Sequence, residues 1–153
     1  MGLRTTFICA WLLCTNTSHA DDNPFHDPYE QATSGYPGCI APVRPQYSEE
    51  DLRREAHQRM EAGTTCWLAG QCEQGGPYKH DAEINADIVA AIRADKRFAH
   101  ASVWVETVRS YVTLHGCMPT HSTQQQLEAL VKSRPRVKIV WNKTVLGRKP
   151  VTP

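Results

Sequence analysis

Between Asp81 and Leu146 the apolar positions change period in a fixed order. Ile84, Ile88 and Ile92 recur every four residues, which lays one apolar stripe along a helix, and Asp81 is placed to cap its N-terminus. Val103 and Val105 then alternate with Trp104 and Glu106, and Val112 and Leu114 alternate with Thr113 and His115, the period of strands. Leu127, Ala129, Leu130 and Val131 return to helical spacing, and Val137, Ile139, Val140 and Val145 form a β-branched run that reads as a last strand. The order is α-β-β-α-β. It predicts an α+β domain over residues 79–146, two helices packed on a three-stranded sheet. No catalytic signature falls inside it.

The same segment carries Asp81-x-x-Ile84-x-x-x-Ile88 and Ile92-x-x-Asp95 in the first helix, and Val103-x-Val105 followed by Val112-Thr113-Leu114-x-Gly116 in the hairpin. Pro135-x-Val137-x-x-Val140-x-Asn142 stands at the final turn and strand. As an ordered set these resemble the BON domain, the bacterial family found in osmotically induced periplasmic proteins and in nodulation-associated proteins. Two positions depart from the family pattern. Val108-Arg109-Ser110 stands where an Asn-Gly-like turn is usual, and Arg136 replaces a common glycine before the last strand. One copy of the domain is visible. The resemblance implies attachment to a phospholipid surface and envelope protection under osmotic stress.

The N-terminus predicts the compartment. Arg4 precedes the apolar run Phe7-Ile8-Cys9-Ala10-Trp11-Leu12-Leu13-Cys14, and Ser18-His19-Ala20 offers small residues at the two positions a signal peptidase reads. The run is far shorter than the ~20 residues of a spanning helix. Residues 1–20 therefore read as a cleaved secretory signal, and the mature chain as periplasmic, beginning at Asp21. A lipoprotein signal needs a small residue before Cys14, and Leu13 stands there. Residues 21–47 hold Pro24, Pro28, Pro37, Pro42 and Pro45 with few large aliphatics, so an extended segment without its own fold is expected. In 48–78 a helix opens at Ser48 with Glu49, Glu50 and Asp51 in its first turn and ends at Gly63. Its apolar stripe is narrow: Leu52, Ala56 and Met60. A cysteine loop follows, and residues 147–153 form a basic tail.

Removing the signal leaves Cys39, Cys66, Cys72 and Cys117, an even number in an oxidising compartment. Four cysteines allow three connectivities. Cys66 and Cys72 flank a short glycine-containing loop able to bring its ends together, which leaves Cys39 for Cys117. On the chain-entropy model the bridges contribute about 2.4 and about 4.5 kcal/mol. Zinc is disfavoured, because no Cys-x-x-Cys pair is present. The extension is thus stapled to a domain too small to bury much surface unaided.

The formal net charge of +1 hides an uneven distribution. Residues 21–78 hold four arginines against ten acidic residues, whereas 79–153 hold twelve Lys and Arg against six acidic ones. The sharper feature is the end: Lys132, Arg134, Arg136, Lys138, Lys143, Arg148 and Lys149 come with no acidic residue among them. Such a run attracts anionic headgroups at roughly 1 kcal/mol per well-placed cation. Equally, it can be a solvated face on which the acidic extension docks. His26, His57, His80, His100, His115 and His121 are scattered, and His115 and His121, the closest pair, lack a third converging metal ligand. No nucleophile elbow, His-Glu-x-x-His helix, phosphate loop or dinucleotide glycine pattern appears, so no enzyme activity, metal or cofactor is expected. Of the aromatics, Trp104, Tyr111 and Trp141 fall on strands and Trp67 in the cysteine loop; any that face outward would form a contact surface.

Two functions are compatible with these features. One is a non-enzymatic exported protein that binds anionic phospholipid through Lys132, Arg134, Arg136, Lys138 and Lys143. The other is a periplasmic module that binds another envelope protein through a sheet edge and exposed aromatics. Neither nucleic acid nor a membrane-spanning segment in the mature chain is expected.

Overall fold

Ile84, Ile88 and Ile92 are buried along one face of a helix, as their spacing requires, and this helix is the centre of the core. A computed structural model describes residues 23–147 of the 153. The expected signal at 1–20 and the tail cations Arg148 and Lys149 lie outside the described residues. The elements run β1 (Tyr29–Ser34), α1 (Glu49–Leu68), α2 (Asp81–Ala94), a short 3-10 turn (Lys96–Phe98), β2 (Ser102–Val108), β3 (Tyr111–Met118), α3 (His121–Lys132), β4 (Ile139–Asn142) and β5 (Val145–Leu146). The protein is α+β, with the expected α-β-β-α-β series present as α2, β2, β3, α3 and β4.

The sheet is larger than the three strands expected. Its order is β1-β2-β3-β4, and β5 pairs with β3 beyond the end of β4. β2 and β3 form an antiparallel hairpin, while β4 and β5 run parallel to β3 after the α3 crossover. β1 comes from the proline-containing extension and pairs antiparallel with β2, with an irregularity between Gln31 and Thr33 that turns Ala32 into the core. Arg93 of α2 fastens this edge: its guanidinium donates to the carbonyls of Gln31 and Ala32 and to the Glu30 carboxylate. The segment 21–47 is therefore not merely extended. Its strand was hidden because Tyr29–Ser34 shows little apolar alternation, and backbone pairing to β2 makes it a strand.

The core lies between one face of the sheet and α2 with α3. Val103 and Val105 of β2, Val112, Leu114 and Met118 of β3, and Leu127 and Val131 of α3 are buried there with Phe98 and the α2 isoleucines. Gly116 is required at its place in β3: a Cβ would stand 1.9 Å from the Ser102 carbonyl oxygen, and its φ is +123°.

Asp81 does not cap α2. His80 occupies the N-cap without a side-chain bond, and the buried Asp81 carboxylate instead accepts the backbone N–H groups of Arg109 and Ser110, each at 2.7 Å. Those two residues form the β2–β3 turn with φ of 58° and 65°. This is the doubly left-handed turn for which Asn-Gly is the usual sequence; here a carboxylate holds the same backbone with Arg-Ser. Arg136 likewise has φ of 64° where a glycine was expected.

The extension crosses the second face of the sheet over β2 and β3. Cys39 is bonded to Cys117 with Cα atoms 5.8 Å apart, and Tyr36 N–H donates to Ser102 Oγ. Arg44 lies over the Tyr29 ring at 4.7 Å and 3.9 Å from Glu106. Trp104 is buried beneath this strap. α1 starts at Ser48, whose hydroxyl and the Asp51 carboxylate form a reciprocal cap. It does not stop at Gly63 but continues to Leu68. Nor does it dock on Leu52, Ala56 and Met60: Ala56 and Met60 are exposed, and the half-buried side is Leu52, Glu55, Arg59, Ala62 and Cys66. Polar anchoring explains this orientation, since Arg59 donates to both Asp27 oxygens at 2.8 and 2.6 Å. The Cys66–Cys72 bond closes the helix end, with Cα atoms 5.5 Å apart.

Candidate functional site

The basic run begins where α3 ends. Lys132 is its last residue and donates to Glu128 one turn earlier at 2.6 Å. The chain then turns through Ser133, Arg134, Pro135 and Arg136 into β4. Arg134 Nε donates to Asp87 at 2.7 Å, and this bond holds the Asp87 carboxyl below its ordinary range. Arg136 reaches Glu83 at 3.1 Å, one turn earlier on α2. Apart from Glu128, the acids that face the run are therefore on α2, about fifty residues away in sequence. Glu49, Glu50 and Asp51 do not dock there: Glu49 pairs with Arg53, and Asp51 with Arg54 and Ser48.

Lys138 has no ion-pair partner among the described residues. It lines a cavity of about 540 Å³ together with Arg136, His80, Ser110 and the loop through Cys72. Lys143 turns to the opposite side of the sheet, where the Glu106 carboxyl is held low by His115, with Arg44 and Lys143 adding to the effect. Lys132, Arg134, Arg136 and Lys138 thus form one ridge, and Lys143 lies apart from it. Strand alternation is the cause. Ile139 is 41% exposed on β4, an edge strand of the sheet.

Trp141, two residues on, is 47% exposed and packs edge-on against Tyr111 at 5.6 Å. Both border a second cleft, of about 330 Å³, closed on its other side by Glu55 and Gln58 of α1, with Tyr78 and Arg109 between. Sequence reading singled out Tyr111 and Trp141 as strand aromatics but had no signal for Glu55, Gln58, Tyr78 or Arg109. These come from three separate stretches, and only the docking of α1 brings them together. The four oxidised cysteines stand apart from both surfaces except Cys72.

Two helices lie on one face of a small mixed sheet, with a basic ridge at the α3–β4 junction. The BON domain model matches residues 80–148, and this part of the chain is a BON domain, a type associated with phospholipid binding in envelope proteins. The match begins one residue before α2 and leaves out the extension that supplies β1 and α1. No curated protein matches the chain. Among the described residues no helix is long and apolar enough to cross a membrane.

Proposed function

We propose that the chain is an exported, non-enzymatic envelope protein that attaches to anionic phospholipid surfaces and contributes to envelope protection under osmotic stress. The observation that carries this reading is the ridge of Lys132, Arg134, Arg136 and Lys138 at the α3–β4 junction. Lys132, Arg134 and Arg136 are paired, yet their partners Glu128, Asp87 and Glu83 are themselves substantially exposed. Exposed pairs are worth about 0–1 kcal/mol, so exchanging a carboxylate for a headgroup phosphate costs little. Each cation near an anionic surface contributes roughly 1 kcal/mol. Export rests on the short apolar run and the Ser18-x-Ala20 ending, and periplasmic protein should have an intact mass that begins at Asp21.

The test is co-sedimentation of the mature protein with vesicles, with and without anionic lipid. Binding should require anionic lipid and fall steeply as ionic strength rises. Lys138→Glu combined with Arg136→Glu should weaken binding at low salt by roughly tenfold or more. This pair leaves the less exposed Arg134–Asp87 ion pair in place. Equal binding to both vesicle types, or no effect of the double reversal, overturns charge-based attachment. A second reading has its own observation: β4 is an outer strand with Ile139 and Trp141 exposed, a surface onto which a strand of another envelope protein can add. Such binding would be insensitive to salt and to the lipid.

A further inference from the structure

We infer that the cleft between α1 and the β2–β3–β4 end of the sheet is a saccharide-binding site. Its wall of rings is Trp141, Tyr111 and Tyr78; its polar groups are Glu55, Gln58 and Arg109. The volume, about 330 Å³, lies at the small end of the range of small-molecule pockets, roughly 300–1,000 Å³.

The polar groups are uncommitted. The Gln58 amide, the Arg109 guanidinium and the Tyr78 hydroxyl make no hydrogen bond with any described residue. Glu55 uses one carboxylate oxygen, accepting from Arg59 Nε at 3.0 Å, and leaves the other open. Arg109 lies over the Tyr111 ring at 5.9 Å. Burial pushes the Tyr78 phenol above its ordinary value, so it remains a donor at neutral pH. Donors and acceptors of both charges therefore line a space bordered by aromatic rings.

The combination selects a ligand class. An anionic headgroup would meet the Glu55 carboxylate, and a simple cation would meet Arg109. An acyl chain would leave four polar groups without partners, at about 1–3 kcal/mol for each that is desolvated. A pyranose has apolar C–H faces for the rings and a rim of hydroxyls that both donate and accept, which matches carboxylate, amide, guanidinium and phenol together. The site is also held in shape before any ligand arrives. Arg59 is fixed by both Asp27 oxygens and packs over the Phe25 and Tyr78 rings, and it in turn orients Glu55. This inference does not depend on the lipid reading, because the ridge cations take no part in it.

The experiment is an NMR titration of isotopically labelled mature protein with hexoses, N-acetylhexosamines and their short β-linked oligomers at millimolar concentration. At least one sugar should shift the Trp141 indole and Gln58 amide signals in a saturable way and leave Lys132 and Lys138 unmoved. Trp141→Ala should weaken that sugar about tenfold, the loss of a ring contact worth roughly 1.4 kcal/mol. Gln58→Ala and Glu55→Gln, both on the surface of α1, should weaken it several-fold, and they keep the test valid if Trp141→Ala disturbs the sheet. All three variants should bind anionic vesicles as the parent does. If no sugar in the series produces saturable shifts, if the shifts centre on another surface, or if the variants bind as the parent, the saccharide site is overturned.

Discussion

Asp81 shows how one side chain can substitute for a preferred sequence. Residues with positive φ outside glycine cost roughly 1 kcal/mol each, and Arg109 and Ser110 are adjacent examples. The buried carboxylate offsets this by accepting both of their N–H groups. Burial raises the Asp81 pKa, only partly opposed by those two bonds. A carboxyl raised in the folded state contributes stability that is fully present below its unfolded pKa and is lost as pH rises through the folded value, so ionised Asp81 is a cost at neutral pH. The hydrogen bonds outweigh it if removing them is worse. Asp81→Ala should lower stability by about 2–4 kcal/mol in urea melts, leaving two N–H groups unmet. Arg109→Asn with Ser110→Gly should recover about 1–2 kcal/mol of that loss, because the pair suits the turn without help. An Asp81→Ala protein as stable as its parent would refute this account of the turn.

At the scale of elements, β1 decides whether the extension is an appendage or part of the fold. It pairs along β2, it is held from α2 by Arg93, and five residues later Cys39 is bonded to Cys117 at the end of β3. Deleting residues 21–63, which on the docking alternative would simply uncover the basic run, would instead expose the β2 edge, Trp104 and part of the core. The Cys39–Cys117 bridge closes 78 residues of sequence and the Cys66–Cys72 bridge only 6. Loop-closure entropy then ranks them. Replacing Cys39 and Cys117 by Ala should cost about 4–5 kcal/mol, and replacing Cys66 and Cys72 about 2–3, read as shifts in denaturation midpoint. The reverse ranking would mean that the extension is held by β1 and Arg93 alone.

Across the whole molecule, legibility follows the range of the cause. α2, β2, β3, α3 and β4 were readable because a buried face repeats within each of them, and Ile84, Ile88 and Ile92 need only one neighbour surface to declare themselves. β1 was not readable, since its cause is the unpaired edge of β2 some seventy residues later. The ridge was readable as a run of cations, but its neutralisation by Glu83 and Asp87 was not, and the cleft at Trp141 needs four elements at once. The same reasoning identifies Glu106 as a residue that joins the parts: His115 of β3, Arg44 of the extension and Lys143 beyond β4 all act on its carboxyl, which is held below 4.5. A depressed carboxyl contributes stability that is present above its unfolded pKa and is lost as pH falls through the folded value. Glu106→Gln should therefore be less stable than the parent at pH 7, by about 1 kcal/mol for a charged hydrogen bond half-shielded from water, and the two should converge as the pH falls through the lowered Glu106 value. Thermal melts from pH 7 to pH 3 decide the matter. A difference that stayed constant over that range would show that Glu106 acts by its shape and hydrogen bonding alone, and that no charge coupling ties the extension to the sheet.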